Sequence, residues 1–465
     1  MTLKELTDNI SGFRLMLDRL EILSGPGRRL LREMPVMDSA ADIRKELDAV
    51  EEAAGITGDP AISSLLDKAG HILMCLNDIS STLRRLKAGD ILDDIELFEI
   101  KTLALQSDSL RRFASEIGLK AVDFNPTDQV IGLLDPENTR VPHFFIYDAY
   151  SEELAILRRR LKSLPPDSEE AALLFLECTK AEDDIRARLS KALRPHADLL
   201  SLNLDSAGRL DLLLAKARLA TQGGLCRPTV SDSGATSYTG LFNPVVADGL
   251  SKKGLVFQPV DITVEPGATL ITGANMGGKS VVLKSLALAQ TMTQTGMYVP
   301  ASGARVAVVE DIITSMGDTQ SELSGLSSFG AEMLAIDRAV RAAETGKRLL
   351  ILIDEPARTT NPDEGRAIAA ALLEHFDNTQ ALTVVTSHYS GLHASRHLRV
   401  KGLARDISDG IHTPSDISRH MDYTLESADG RDIPHDALRI ATMLGFDSRI
   451  IERAAQTLEN KQSQL

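Results

Sequence analysis

The segment that most restricts the fold is a short apolar run, residues 268–271. It is followed by Gly273-Ala-Asn-Met-Gly-Gly278-Lys279-Ser280 and then by a helical pattern over 280–295. A glycine-rich turn between a buried strand and a helix lets backbone N–H groups wrap an anion, while the helix N-terminus adds its positive end. The spacing fits GxxxxGK[ST] in full, in the strand–loop–helix context that motif requires. Gly273, Asn275, Gly277, Gly278, Lys279, Ser280 and Val281 are therefore the candidate nucleotide-binding residues. In such a loop the Lys279 ammonium reaches the β- and γ-phosphates of ATP, and the Ser280 hydroxyl ligates Mg²⁺.

A second strand supplies the acids. Leu349-Leu-Ile-Leu-Ile is an apolar run that reads as a buried strand, and Asp354 and Glu355 emerge at its C-terminal end, where α/β folds place their ligands. Asp354 is expected to hold the Mg²⁺ shell, and Glu355 to polarise the attacking water. A third run, 381–386, ends in Ser387-His388-Tyr389, and a histidine there can sense the γ-phosphate, although a lone histidine is commonly structural.

The rest of the chain divides by pattern. Leu20, Leu23, Leu30 and Leu31 lie on one helical stripe, as do Leu65, Ile72, Leu73, Leu83 and Leu86. Residues 123–150 are less regular and contain a strand-like run at 143–147; helical pattern resumes at 151–164 and, after Pro165-Pro166-Asp167, continues to about residue 220. Residues 223–237, rich in Gly, Ser, Thr and Pro, read as a boundary. Beyond them, β-rich runs at 269–272, 305–309, 349–353 and 382–386 alternate with helical stretches, the pattern of a mostly parallel sheet flanked by helices. The expected organisation is an all-α domain over 1–225, a linker over 226–245 and an α/β domain over 246–465.

Composition excludes other classes. A net charge of −15 argues against a broadly nucleic-acid-adhesive surface, although a local basic groove would suffice for binding. Aromatic residues make up 4% with no Trp, too few for a single-strand stacking platform. The three cysteines, Cys75, Cys178 and Cys226, show no metal-binding spacing and read as reduced core thiols. No apolar run is long enough to span a bilayer, and the N-terminal residues lack the apolar core of a signal peptide, so a cytoplasmic location is expected.

Several segments resemble the MutS ATPase family, a branch of the ABC-type ATPases. They are Asn275-Met276-Gly277-Gly278-Lys279-Ser280, Met297-Tyr298-Val299-Pro300-Ala301, Ser327-Ser328-Phe329 with Glu332-Met333, and Thr386-Ser387-His388-Tyr389. The closer likeness is to the MutS paralogues that usually carry a C-terminal Smr nuclease domain, through 271–284, 317–321, 326–329 and 361–365, and more weakly through 93–97, 209–220 and 437–454. The resemblance implies an ABC-type P-loop NTPase domain preceded by a helical lever and core. It also implies a homodimer with two shared ATP sites, in which Ser324 and Ser327 reach the γ-phosphate bound by the other subunit. From the residues alone, 324–329 reads as an ordinary N-cap and helix start.

Departures from that family matter. No mismatch-reading element can be placed before the helical core. The interval 165–202, where the paralogues carry a clamp, holds only two helical passes and is crowded by Asp167, Glu169, Glu170, Glu177, Glu182, Asp183 and Asp184. With the sequence ending at Leu465, no Smr nuclease is expected. Finally, Ala357 and Thr359 stand where the family usually has glycines, in a loop at its dimer interface. The basic runs Arg158-Arg159-Arg160-Lys162 and Arg84-Arg85-Lys87 are the densest candidates for DNA contacts, and each also reads as a solvated helix face. Two clients stay open: mismatched or branched DNA, as in mismatch repair and recombination, and a protein. The protein reading is an ATP-dependent reactivating chaperone (a reactivase) for a cobalamin-dependent amino-acid aminomutase.

Overall fold

The computed structural model describes residues 1–232, 234–273, 278–316, 328–403, 420–428, 436–443 and 445–462. Ten strands are described: β1 (Thr229–Ser231), β2 (Thr236–Leu241), β3 (Val260–Val264), β4 (Gly267–Thr272), β5 (Gly303–Ala307), β6 (Asp311–Ser315), β7 (Leu349–Asp354), β8 (Leu382–Ser387), β9 (Arg396–Leu403) and β10 (Met421–Ser427). They form a four-stranded sheet, β1-β5-β2-β3, and a six-stranded sheet, β10-β9-β4-β8-β7-β6.

The larger sheet is parallel from β9 through β6, and only β10 runs antiparallel at its edge. Strands buried on both faces must be apolar throughout, and β4 and β8 are buried at every position. The helices Ser328–Ala343 and Pro362–Asp377 cover one core, where Ile336, Ala339, Leu373 and Phe376 pack on Leu270, Ile351, Ile353 and Val385. The helix Lys279–Gln294 is buried over nearly its whole length. Two of its buried glutamines donate to the chain beyond it: Gln290 to the Ala307 carbonyl at 2.8 Å and Gln294 to that of Val309 at 2.8 Å.

The chain's contacts define two compact units, Met1–Arg19 with Pro35–Leu47 and Ala220–Leu465, and Leu20–Met34 with Asp48–Leu219. This corrects the single cut expected at 226–245. That stretch carries β1 and β2 of the four-stranded sheet, in which Val230, Tyr238 and Leu241 are buried together with Ser231 and Thr236. The first residues of the chain join the α/β unit through specific contacts. Met37 and Gln294 exchange hydrogen bonds of 2.8 and 2.9 Å, Ile43 and Leu47 pack with Val230 and Val308, and Arg19 pairs with Asp248.

The other unit is helical. Ser24 caps the helix Gly25–Arg32, and its N–H and hydroxyl donate to the buried Asp211 carboxylate at 2.7 and 2.6 Å. A reciprocal Asp93/Glu96 capping box starts the helix Asp94–Glu116. The run 143–147 does not form a strand; its His143 carbonyl accepts from the Lys101 ammonium instead. Among the cysteines only Cys178 is buried; Cys75 is exposed at the end of the helix Ser63–Met74, which corrects its expected core placement. Among the described residues no helix is long and apolar enough to cross a membrane.

Candidate active site

The site gathers at the C-terminal ends of β4, β7 and β8, three adjacent strands of the parallel sheet. After β4 the chain enters the glycine-rich loop and leaves it at Gly278, which caps the helix Lys279–Gln294 with φ 74°. A side chain there would be strained by that backbone and would stand 3.2 Å from the Tyr423 ring of β10, so glycine is required. Lys279 is consequently the first helical residue and is almost fully buried. Its ammonium donates to the Gly273 carbonyl at 2.7 Å and pairs with Glu355 Oε1 at 3.2 Å. Ser280 follows on the first turn of the same helix, and Val281 completes it.

β7 and β8 run in register with Asp354 opposite Thr386. The Thr386 hydroxyl donates to Asp354 Oδ1 at 2.6 Å. The next residue, Glu355, leaves the strand with φ 48°, and its N–H donates to the Thr386 carbonyl (3.2 Å) and hydroxyl (3.0 Å). A non-glycine residue in this region is uncommon and persists only where its surroundings hold it. The result turns the Glu355 carboxylate toward Lys279. His388 Nδ1 lies 3.7 Å from Glu355 Oε2, too long for a hydrogen bond but close enough to feel its charge.

Lys279, Asp354, Glu355 and His388 are thus brought together, with Gly273, Gly278 and Ser280 beside them. Asn275, Gly277, Ser324 and Ser327 lie outside the described residues. Three participants were not singled out from the sequence. Thr386 ties the two acids, and Glu332 and Tyr389 hold the loop beyond them, with the Ala357 N–H donating to Glu332 Oε1 at 2.9 Å and the Tyr389 hydroxyl donating to the Ala357 carbonyl at 3.2 Å. Thr386, Glu332 and Tyr389 sit inside the segments that carry the family likeness, but only strand register and helix docking show what they touch. Burial pushes the Glu332 carboxyl above its usual range, against the pull of the Ala357 N–H and of Arg358. Burial likewise raises the Tyr389 phenol, with the Glu332 and Glu355 charges adding to it.

Four residues of the basic runs considered for DNA, Arg85, Lys87, Arg158 and Arg160, make ion pairs within the chain. Arg158 pairs with Asp148 (2.6 Å) and Glu182 (2.8 Å), Arg160 with Glu170 (2.6 Å), Arg85 with Asp90 (3.2 Å) and Glu96 (2.5 Å), and Lys87 with Asp198 (2.5 Å). Between the helices Glu152–Ser163 and Glu169–Leu193, an apolar groove of about 620 Å³ is lined by Leu161, Leu164, Pro166, Ala172, Phe175 and Leu176. No cluster of three or more His, Cys, Asp or Glu side chains suited to a metal occurs among the described residues.

A parallel sheet whose strand ends present a phosphate-loop lysine, an Asp-Glu pair and a histidine defines a P-loop nucleotide-binding domain. Residues 269–462 match the family model described as MutS domain V, and the chain is related to the MutS family. It is 31% identical to an endonuclease MutS2 of Geobacillus sp. (strain WCH70) over 273 residues, 58% of this chain and 33% of the relative. It is 30% identical to a DNA mismatch repair protein MutS of Shouchella clausii (strain KSM-K16) over 279 residues, 57% of this chain and 32% of the relative. A putative endonuclease MutS2 of Bacillus subtilis (strain 168) matches at 25% identity over 509 residues, 93% of this chain and 62% of the relative. That match is longer than the whole of this 465-residue chain, so the relative holds residues with no counterpart here. The chain spans about a third of the length of the first two relatives and less than two thirds of the third.

Proposed function

We propose that this chain binds ATP with Mg²⁺ at the ends of β4, β7 and β8 and hydrolyses it, as an ABC-type ATPase domain coupled to a helical lever. The observation that carries the reading is the buried Lys279–Glu355 pair, with Asp354 and His388 beside it. Lys279 transfers its ammonium from the Gly273 carbonyl and Glu355 to the β- and γ-phosphates. That move frees the Glu355 carboxylate to accept a proton from the attacking water. His388 lies close enough to Glu355 to register the γ-phosphate. The Ser280 hydroxyl and the Asp354 carboxylate are hard oxygen donors, the set that suits Mg²⁺, which would neutralise charge on the phosphates. Asp354 Oδ1 already accepts from Thr386, which orients the carboxylate for that task.

Lys279→Ala tests the reading. It removes the phosphate contact and leaves Glu355 without its cation, so ATP affinity should fall by at least about tenfold, the loss of one charge-assisted contact. Equilibrium binding of a fluorescent ATP analogue measures it. Wild-type affinity in that variant, or no ATP turnover by the wild-type chain, would sink the proposal.

By resemblance, two such domains face one another as a homodimer, and Ser324 and Ser327 of one subunit complete the site of the other. That one relative is a DNA mismatch repair protein and others are endonucleases supports a DNA client. The internal ion pairs of Arg85, Arg158 and Arg160 predict that any such binding uses few phosphate contacts. The affinity should then fall with salt at a slope of about −0.9 per phosphate neutralised, and a small total slope is expected. Titration of homoduplex, mismatched and branched DNA from low to physiological salt, with and without ATP, reads it out. Absence of binding at low salt removes DNA as the client and leaves a protein client, the chaperone reading, in its place.

A further inference from the structure

The loop that follows Asp354 and Glu355 is braced at a single residue from two other elements. Ala357 is fully buried and has φ 60°, a left-handed backbone that costs an L residue and that the loop must impose on it. Its N–H is taken by Glu332, on the helix Ser328–Ala343, and its carbonyl by the Tyr389 hydroxyl, just beyond β8. Gly365, on the helix Pro362–Asp377, gives the phenol room: a Cβ there would lie 2.3 Å from the Tyr389 oxygen and 2.9 Å from the Ala357 carbonyl. Side chains from two elements therefore hold the two peptide groups of one alanine, and a third element leaves them room.

The brace matters because of what lies two residues before it. Glu355 is held at its own N–H by Thr386, and between that anchor and Ala357 stands only Pro356, whose ring restricts φ. With both ends tied, the Glu355 backbone is restrained and its Cα–Cβ bond keeps the direction from which the carboxylate reaches Lys279. With the Ala357 end released, the alanine relaxes toward the ordinary right-handed or extended regions and carries Glu355 with it. We propose that Glu332 and Tyr389 are positioning residues that set the Glu355 carboxylate by holding Ala357 in its left-handed conformation. This rests on the reading of Glu355 as the group that activates water. The role asked of Glu332 is that of a hydrogen-bond acceptor, which its neutral amide counterpart can also fill.

The test uses the full chain with Glu332→Gln, Glu332→Ala, Tyr389→Phe and the double variant Glu332→Ala/Ala357→Gly. Two quantities are read: ATP turnover with its KM and independently measured nucleotide affinity, and backbone amide exchange over 355–360 without nucleotide. Glu332→Ala should lower kcat by about tenfold or more, the scale of a misplaced catalytic group, with ATP affinity changed by less than about twofold. Exchange in the loop should accelerate by about tenfold or more as the Ala357 N–H loses its partner. Glu332→Gln should stay near wild type in both, and Tyr389→Phe should fall between. Glycine at 357 adopts φ 60° without a brace, so the double variant should recover part of the lost kcat.

Wild-type kcat and wild-type loop exchange in Glu332→Ala would overturn the inference. So would equal damage from Glu332→Gln and Glu332→Ala, which would assign the effect to charge. A fall in nucleotide affinity matching the fall in kcat would overturn it too, as a general loss of structure. If the wild-type chain turns over no ATP, the proposed function fails, while the exchange contrast between the Gln and Ala variants still decides whether the brace exists.

Discussion

Glu355→Gln is expected to lower ATP turnover by about 10²–10⁴-fold, the range that a positioned general base contributes. Glutamine keeps the shape of the side chain and cannot accept the proton of the attacking water. The same change removes the partner with which Lys279 pairs at 3.2 Å, so the lysine has less to give up when phosphates arrive. ATP affinity should therefore be kept or increase, and the nucleotide-bound dimer should accumulate. Steady-state phosphate release, equilibrium nucleotide binding and sedimentation with ATP check the three parts. Rapid hydrolysis by this variant would refute the assignment of Glu355.

The second large effect concerns stability and lies in the helical unit. Lys101 and Asp135 have fully buried side chains and pair at 3.0 Å. The ammonium also donates to the His143 carbonyl (2.9 Å) and the Tyr147 hydroxyl (3.0 Å), while Asp135 accepts from Thr139 (2.9 Å) and from the Arg140 N–H (2.7 Å). The network pins the irregular segment after the helix Asp128–Leu134 to the helix Asp94–Glu116. Asp135→Ala leaves a buried ammonium without its counter-charge, and breaking such a pair costs about 3–5 kcal/mol. Urea unfolding at neutral pH measures the loss; a change below about 1 kcal/mol would show that water or a neighbour replaces the carboxylate.

The same pair makes an acid-side prediction. Burial raises the Asp135 carboxyl, but the Arg140 N–H, Lys101 and Thr139 outweigh it and hold the group below its ordinary value. A depressed folded-state pKa means the contribution is complete above the unfolded value of about 3.9 and is lost as pH falls through the folded one. Asp135→Asn should therefore flatten the acid side of the stability profile. An unchanged acid limb would contradict the assignment.

The candidate nucleotide site of this protein was legible in its sequence because its parts are local. The glycine-rich turn, the lysine that opens the helix and the acids at a strand end are each defined by a few consecutive residues, and each strand is an apolar run recognisable by itself. The family likeness added the reading of the loop after Glu355, where alanine replaces the usual glycine; the φ of 60° at Ala357 gives that preference a physical reason. The domain boundary was not legible. Residues 226–245 look like a linker because Gly, Ser and Thr dominate them, and only pairing with β3 and β5 makes strands of that stretch. Nor could 143–147 be told from a strand, since its apolar pattern serves an aromatic cluster around Tyr147.

The sequence by itself pointed to the glycine-rich motif, to the apolar runs that become β4, β7 and β8, and to Lys279, Asp354, Glu355 and His388 as candidate groups, which the structure brings together. All of these follow from short-range constraints: side-chain alternation, glycine conformational freedom and strand-to-helix spacing. Only the tertiary structure decided that Thr386 joins the two acids, that Glu332 and Tyr389 hold Ala357, and that Arg85, Lys87, Arg158 and Arg160 of the helical unit make internal ion pairs. Those facts depend on register between strands 32 residues apart and on helices docking from distant parts of the chain. Hydrogen bonds and ion pairs act over a few ångströms of space, whatever the separation in sequence.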